Sequence, residues 1–141
     1  YIKFNKLSCL KYIMAINFSS ITVSDDTLRI DASRVYLVKI VDDISRKFFH
    51  KKGVLEDEVK RELSKRLGEN REFTKHFFLG HGDYDPVKGW EWASVADVLD
   101  GMKNFGLLEV VRINPVKYRI TPKGEKDLGE KADWFSKYLF S

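Results

Sequence analysis

The chain has one cysteine, three prolines and no uninterrupted apolar run near the roughly 18 residues that a membrane span needs. A lone Cys9 excludes an internal disulfide and a cysteine-built zinc site, and a reducing, cytoplasmic setting is the simplest expectation. The apolar stretch LSCLKYIMAI is broken by Lys11, and no small-residue cleavage site follows it, so neither a span nor a leader is expected. The chain starts at Tyr1 rather than Met, as a fragment or a processed product would. There is no GxGxxG after a strand, no phosphate-binding loop, no GxSxG, no CxxC and no HExxH. Each of those patterns places reactive groups or backbone donors together, and without them no enzyme and no cofactor is expected. Internal repeats and low-complexity tracts are also missing.

What is present suits one folded domain. Apolar residues make up 43% of the 141 and aromatics 13%, enough to bury a core and to exclude disorder as the default. Lysine and arginine number 25 against 21 acidic residues, a net charge of +4. That balance permits an anionic partner without demanding one.

Periodicity divides the chain. In KYIMAINF, Tyr12, Met14, Ile16 and Phe18 alternate with Ile13, Ala15 and Asn17, a strand pattern, and ITV and TLRI read as further short strands beside serine and aspartate turns. An N-terminal β extension over 1–31 is therefore expected. Ser33 reads as the N-cap of a helix reaching about Lys52, with Val35, Val38, Val41, Ile44 and Phe48 on one face and Gly53 at its end. VLEDEVKRELSKRLG follows as a second helix with Leu55, Val59, Leu63 and Leu67 in a row and charges that complement its dipole. NREFTKHFFLG predicts a short helix ended by Gly80, and GHGDYDPVKG, rich in glycine and aspartate, predicts a loop. Ser94 and Asp97 form a capping arrangement for a helix to Phe105, with Val95, Val98, Leu99 and Met102 inward.

The order from Lys103 to Leu128 carries the most information. A helix stops at Gly106, a glycine able to turn the chain sharply. Strands of roughly 109–113 and 116–120 flank Asn114-Pro115, with Leu108, Val110, Tyr118 and Ile120 toward the core. Thr121-Pro122 then opens a last helix carrying Leu128, Ala132, Phe135 and Leu139. The expected fold is α+β: a winged helix-turn-helix over 32–141, with three core helices, a β-hairpin wing, a C-terminal helix and an insertion at about 68–93.

GLLEVV and KYRITPKGEKDL resemble the wing and following helix of the PadR and MarR transcription regulators, over about residues 92–128 and more loosely 33–67. The resemblance implies a transcription regulator of double-stranded DNA. Its recognition helix, 94–105, would enter the major groove, and its wing would lie on the sugar–phosphate backbone. On this chain those elements offer Ser94, Lys103 and Asn104 to base edges, and Arg112, Lys117, Arg119 and Lys123 to phosphates, with Lys126 beyond.

Three features pull away from that expectation. Asp97 and Asp100 lie on the outward side of the candidate recognition helix, where phosphates would repel them. The insertion at 68–93 replaces the short turn the family uses. Its His76, His81, Asp83 and Asp85 are metal-ligand types, but their spacing matches no known site, and turn and packing roles are the expectation, with no metal. Aromatic residues are dense in Tyr84, Trp90 and Trp92 and again in the last helix. Trp134, Phe135 and Tyr138 are expected at a homodimer interface. The alternative function is a winged-helix docking module that binds other proteins without sequence-specific DNA contact.

Overall fold

The longest element grows from a stretch free of glycine and proline. In the computed structural model, which describes residues 25–47 and 53–140 apart from the Asp83 side chain, Asp25–Lys47 form one helix, α1. Asp25 and Asp26 occupy its first turn and Arg46 and Lys47 its last, matching the partial charges of the helix ends. TLRI is therefore helical, which corrects the β expectation over 25–31. The strand expected at 12–18 and the run of helix to Lys52 lie outside the described residues.

Ser33 is not an N-cap. It sits mid-helix and fully buried. Its hydroxyl donates to the Arg29 carbonyl at 2.8 Å and accepts from the Phe78 amide at 3.0 Å. Ala32, Val35, Tyr36, Leu37, Val38, Ile40, Val41 and Ile44 are also buried, so apolar residues cover most of the circumference, as a central helix requires.

Around α1 come β1 (Val54–Leu55), α2 (Glu56–Glu69) and α3 (Arg71–His76), then β2 (His81–Asp85) and β3 (Gly89–Trp92). They are followed by α4 (Val95–Asn104), β4 (Leu108–Ile113), β5 (Val116–Ile120), α5 (Pro122–Glu130) and α6 (Ala132–Tyr138). Two antiparallel sheets result: three strands in the order β1-β5-β4, and the β2-β3 pair. The class is α+β.

Val54 and Leu55 leave the expected second helix to pair with Tyr118 and Lys117 of β5. Gly53 makes that possible. Its φ is +106°, and a Cβ there would lie 2.6 Å from Val111 Cγ2 and 2.9 Å from Lys117 Cβ. The Leu55 amide donates to the Glu58 carboxylate at 3.0 Å, which fixes the start of α2. Arg66 of α2 ties back to α1, bonding the Tyr36 hydroxyl at 3.0 Å and pairing with Asp43 at 3.0 Å.

The loop expected at 80–89 is instead the larger part of a hairpin over 81–92. The Asp85 carboxylate accepts from the amides of Val87 and Lys88 at 2.7 and 2.9 Å, and Gly89 takes φ +85°. Aspartate, proline and glycine here close a hairpin rather than a loop. The last helix is also two helices, with Lys131 at φ −102° and ψ 9° between them. The change of direction brings Phe135 and Leu139 into the core.

A clasp joins the end of α4 to the start of α5. Gly106 takes φ +82°. The Thr121 hydroxyl donates to the Gly106 carbonyl at 2.5 Å and accepts from the Gly124 amide at 3.0 Å, while the Thr121 amide donates to the Leu107 carbonyl at 3.1 Å. Gly124 is buried so tightly that a Cβ would lie 2.2 Å from the Leu107 carbonyl oxygen. Gly124→Ala is expected to destabilise the fold by about 3 kcal/mol, because a backbone oxygen cannot move aside as a side chain can. A urea midpoint that falls with an unchanged slope would register it.

Candidate functional site

The β4–β5 hairpin rises from that clasp. Leu108 and Tyr118 point inward and are buried, and Val110 and Ile120 pack against the core, as the alternation requires. Toward the tip the chain leaves the core behind, and Ile113 is 80% exposed.

Four cations expected at phosphates divide by partner. Arg119 forms a cross-strand ion pair with Glu109 at 2.5 Å. Lys123 donates to the Phe105 carbonyl at 2.7 Å, capping α4. Arg112 and Lys117 instead oppose each other in the strand register, just past a bulge between Val110 and Arg112. Among the described residues neither has a carboxylate oxygen within 4.0 Å of its charged nitrogens. The Lys117 stem lies over Gly53, where a Cβ would meet Lys117 Cβ at 2.9 Å and Cδ at 3.5 Å.

The outward side of α4 is largely committed to itself. The Ser94 hydroxyl accepts from the Asp97 amide at 3.1 Å, and the Ser94 amide reaches the Asp97 carboxylate at 3.5 Å. Lys103 pairs with Asp100 at 2.8 Å, and the hydrogen bond raises the Lys103 pKa. Asn104 is exposed. Of the three residues expected at base edges, Asn104 alone carries no such commitment in these contacts.

The last helix departs from the interface expectation. Phe135 is 7% exposed and meets the Tyr36 ring edge-on at 5.3 Å. Tyr36 also contacts Phe73 at 4.8 Å and Phe140 at 5.9 Å, forming the aromatic centre between α1, α3 and α6. Phe135 is spent on its own core and is removed from the expected dimer contact. Trp134 and Tyr138 are half-buried, their rings 6.3 Å apart and each covered by a lysine, Lys131 and Lys137.

The exposed aromatics lie elsewhere. Tyr84, Trp90 and Trp92 on β2–β3 are 57%, 63% and 69% exposed, and Phe78 and His81 continue their row. Trp90 and Trp92, two residues apart, carry the period of a strand face; Phe78 and His81 join them only through the fold. His76 lies 3.8 Å from Glu72, His81 stacks on Trp92, and Asp85 closes a turn. Among the described residues no group of three or more His, Cys, Asp or Glu could hold a metal ion, and no helix is long and apolar enough to cross a membrane.

Comparison with protein-family models, curated proteins and solved structures finds no match. The residues themselves carry the functional reading. Phe135→Ala is expected to lose about 3–5 kcal/mol of stability by opening a cavity beside Tyr36. Trp134→Ala should lose much less, and paired thermal or urea melts would separate the two.

Proposed function

We propose that the chain is a winged-helix protein that binds double-stranded DNA, in the manner of a transcription regulator, with β4–β5 as the wing. The strand order β1-β5-β4 around α1, α2 and α4 supports this reading, because it sets a hairpin beside a capped helix on one three-helix frame. One observation carries it furthest: Arg112 opposite Lys117. Residues opposed across a ladder are neighbours, here just past the bulge between Val110 and Arg112, and like charges in that position destabilise a sheet. A phosphate between them converts the repulsion into two charge-assisted hydrogen bonds. With Asp97 and Asp100 on the outer side of α4, contact is led by the backbone, and base discrimination is weak.

A second reading, a winged-helix module that docks proteins, draws on the exposed rings of β2–β3. Duplex DNA separates the two. Affinity should fall steeply between low and moderate salt, since each phosphate contact releases counterions. Arg112→Ala with Lys117→Ala should weaken binding across all sequences and flatten the salt slope by about 1 per lost contact. Asp100→Asn, which frees Lys103, should tighten it. No binding at low salt, or an unchanged slope in the double variant, would overturn the DNA reading.

If paired copies double the phosphate contacts, Trp134 and Tyr138 remain to join them. A monomeric mass by sedimentation, with and without DNA, would exclude that pairing.

A further inference from the structure

The β2–β3 hairpin carries a row of five rings. Phe78 meets Trp92 at 5.3 Å, Trp92 stacks on His81 at 4.9 Å and 12°, His81 meets Trp90 at 5.9 Å, and Trp90 meets Tyr84 at 5.2 Å. His81 opposes Trp92 and Tyr84 opposes Trp90 in the strand register, so the row occupies one face of the pair. Cross-strand aromatic pairs hold hairpins together, which accounts for the contacts. It does not account for two indoles left more than 60% exposed (63% and 69%), with Val87 in the turn of the same hairpin at 92%. Apolar surface of that kind, gathered in one place, marks an interaction site.

The platform is held at its base. Arg34 of α1 donates to the carbonyls of Leu79 at 2.7 Å and His81 at 3.2 Å. The Phe78 amide bonds Ser33, and the Ala93 amide bonds the Gly80 carbonyl at 2.9 Å. Arg34 is half-buried, and that burial lowers its pKa. Little side-chain or loop ordering is left for a partner to impose.

Charge selects the partner. From Phe77 to Ala93 the chain holds three acidic residues, Asp83, Asp85 and Glu91, against one basic residue, Lys88, and the Arg34 guanidinium at the base, a local excess of negative charge within a protein that is +4 overall. Lys88 reaches back to Glu91 at 3.8 Å, and Asp85 is kept ionised by the amides of Lys88 and Val87. Phosphates would be repelled here, and a second copy would bring a hairpin of the same sign. A guanidinium is attracted to the open faces of the two tryptophans and to the net negative charge of the hairpin that carries them.

We infer that the ring face of β2–β3 docks an extended, arginine-bearing segment of another protein. The face shares no residue with the proposed wing, so it stands whether or not the chain binds DNA.

The test uses the full chain and three probes: a short synthetic peptide alternating arginine and serine, its glutamate counterpart, and a thymidine oligonucleotide. Calorimetry and tryptophan fluorescence should detect the arginine peptide alone. Trp90→Ala with Trp92→Ala should weaken it at least about tenfold, Glu91→Lys should weaken it less, and Trp90→Phe with Trp92→Phe should retain most of it. Arg112→Ala with Lys117→Ala should leave it unchanged. Both indoles are exposed, so circular dichroism of the alanine variant should match the parent. The inference is overturned by absence of peptide binding, by binding that ignores the tryptophans, or by tryptophan-dependent binding of the oligonucleotide instead. A homodimer that dissociates in the alanine variant would also overturn it, assigning the face to a second copy.

Discussion

The Thr121 hydroxyl holds the C-terminal half of the molecule in place. It gives its proton to Gly106 and receives the Gly124 amide, so the end of one helix and the start of another share a single oxygen. Strands β4 and β5 leave from the two sides of that junction and must return to it, which fixes their pairing from the base upward. Glycine at 106 permits the turn, and glycine at 124 permits the closeness. Lys123 adds a cation where the carbonyls of α4 end. Without this junction there is no reason for the hairpin to stand at a defined angle.

Among the described residues, most basic side chains are engaged within the protein itself. Arg66 joins α1 to α2, Arg34 supports one hairpin, Arg119 braces the other, and Lys103 answers an aspartate on its own helix. An excess of basic over acidic residues thus says little about how much positive surface is offered. Arg112 and Lys117 differ from these in position rather than in type: the ladder sets them opposite each other near a tip with no carboxylate facing them in the register.

Legibility in the sequence followed the range of the interactions. Ser94 with Asp97, and Thr121 with Gly124, act within three residues, and their helix starts are where the pattern places them. The β4–β5 strands were equally plain, because alternation and a proline turn are local. Ser33 misled for the opposite reason: its partner Phe78 lies 45 residues away, and serine beside an apolar run suggests a cap until that partner is known. Val54 and Leu55 form a strand only because β5 is there to receive them. In 80–89, glycine and aspartate predict a loop, although the same residues close a tight hairpin. As for the candidate site, Arg112 and Lys117 were visible as cations, but their opposition was not. Phe135 could not be told from an interface aromatic until α6 turned it onto Tyr36.

The facing cations have a thermodynamic side that involves no particular ligand. A hairpin whose tip repels itself is most relaxed when something negative sits nearby, so its folding and the surrounding anions are linked quantities. Sulfate or phosphate in the buffer would tighten the strand ends, and their removal would let the tip fray first. The outer turn of this sheet is thus a gauge of its ionic surroundings, even in a solution that contains no nucleic acid.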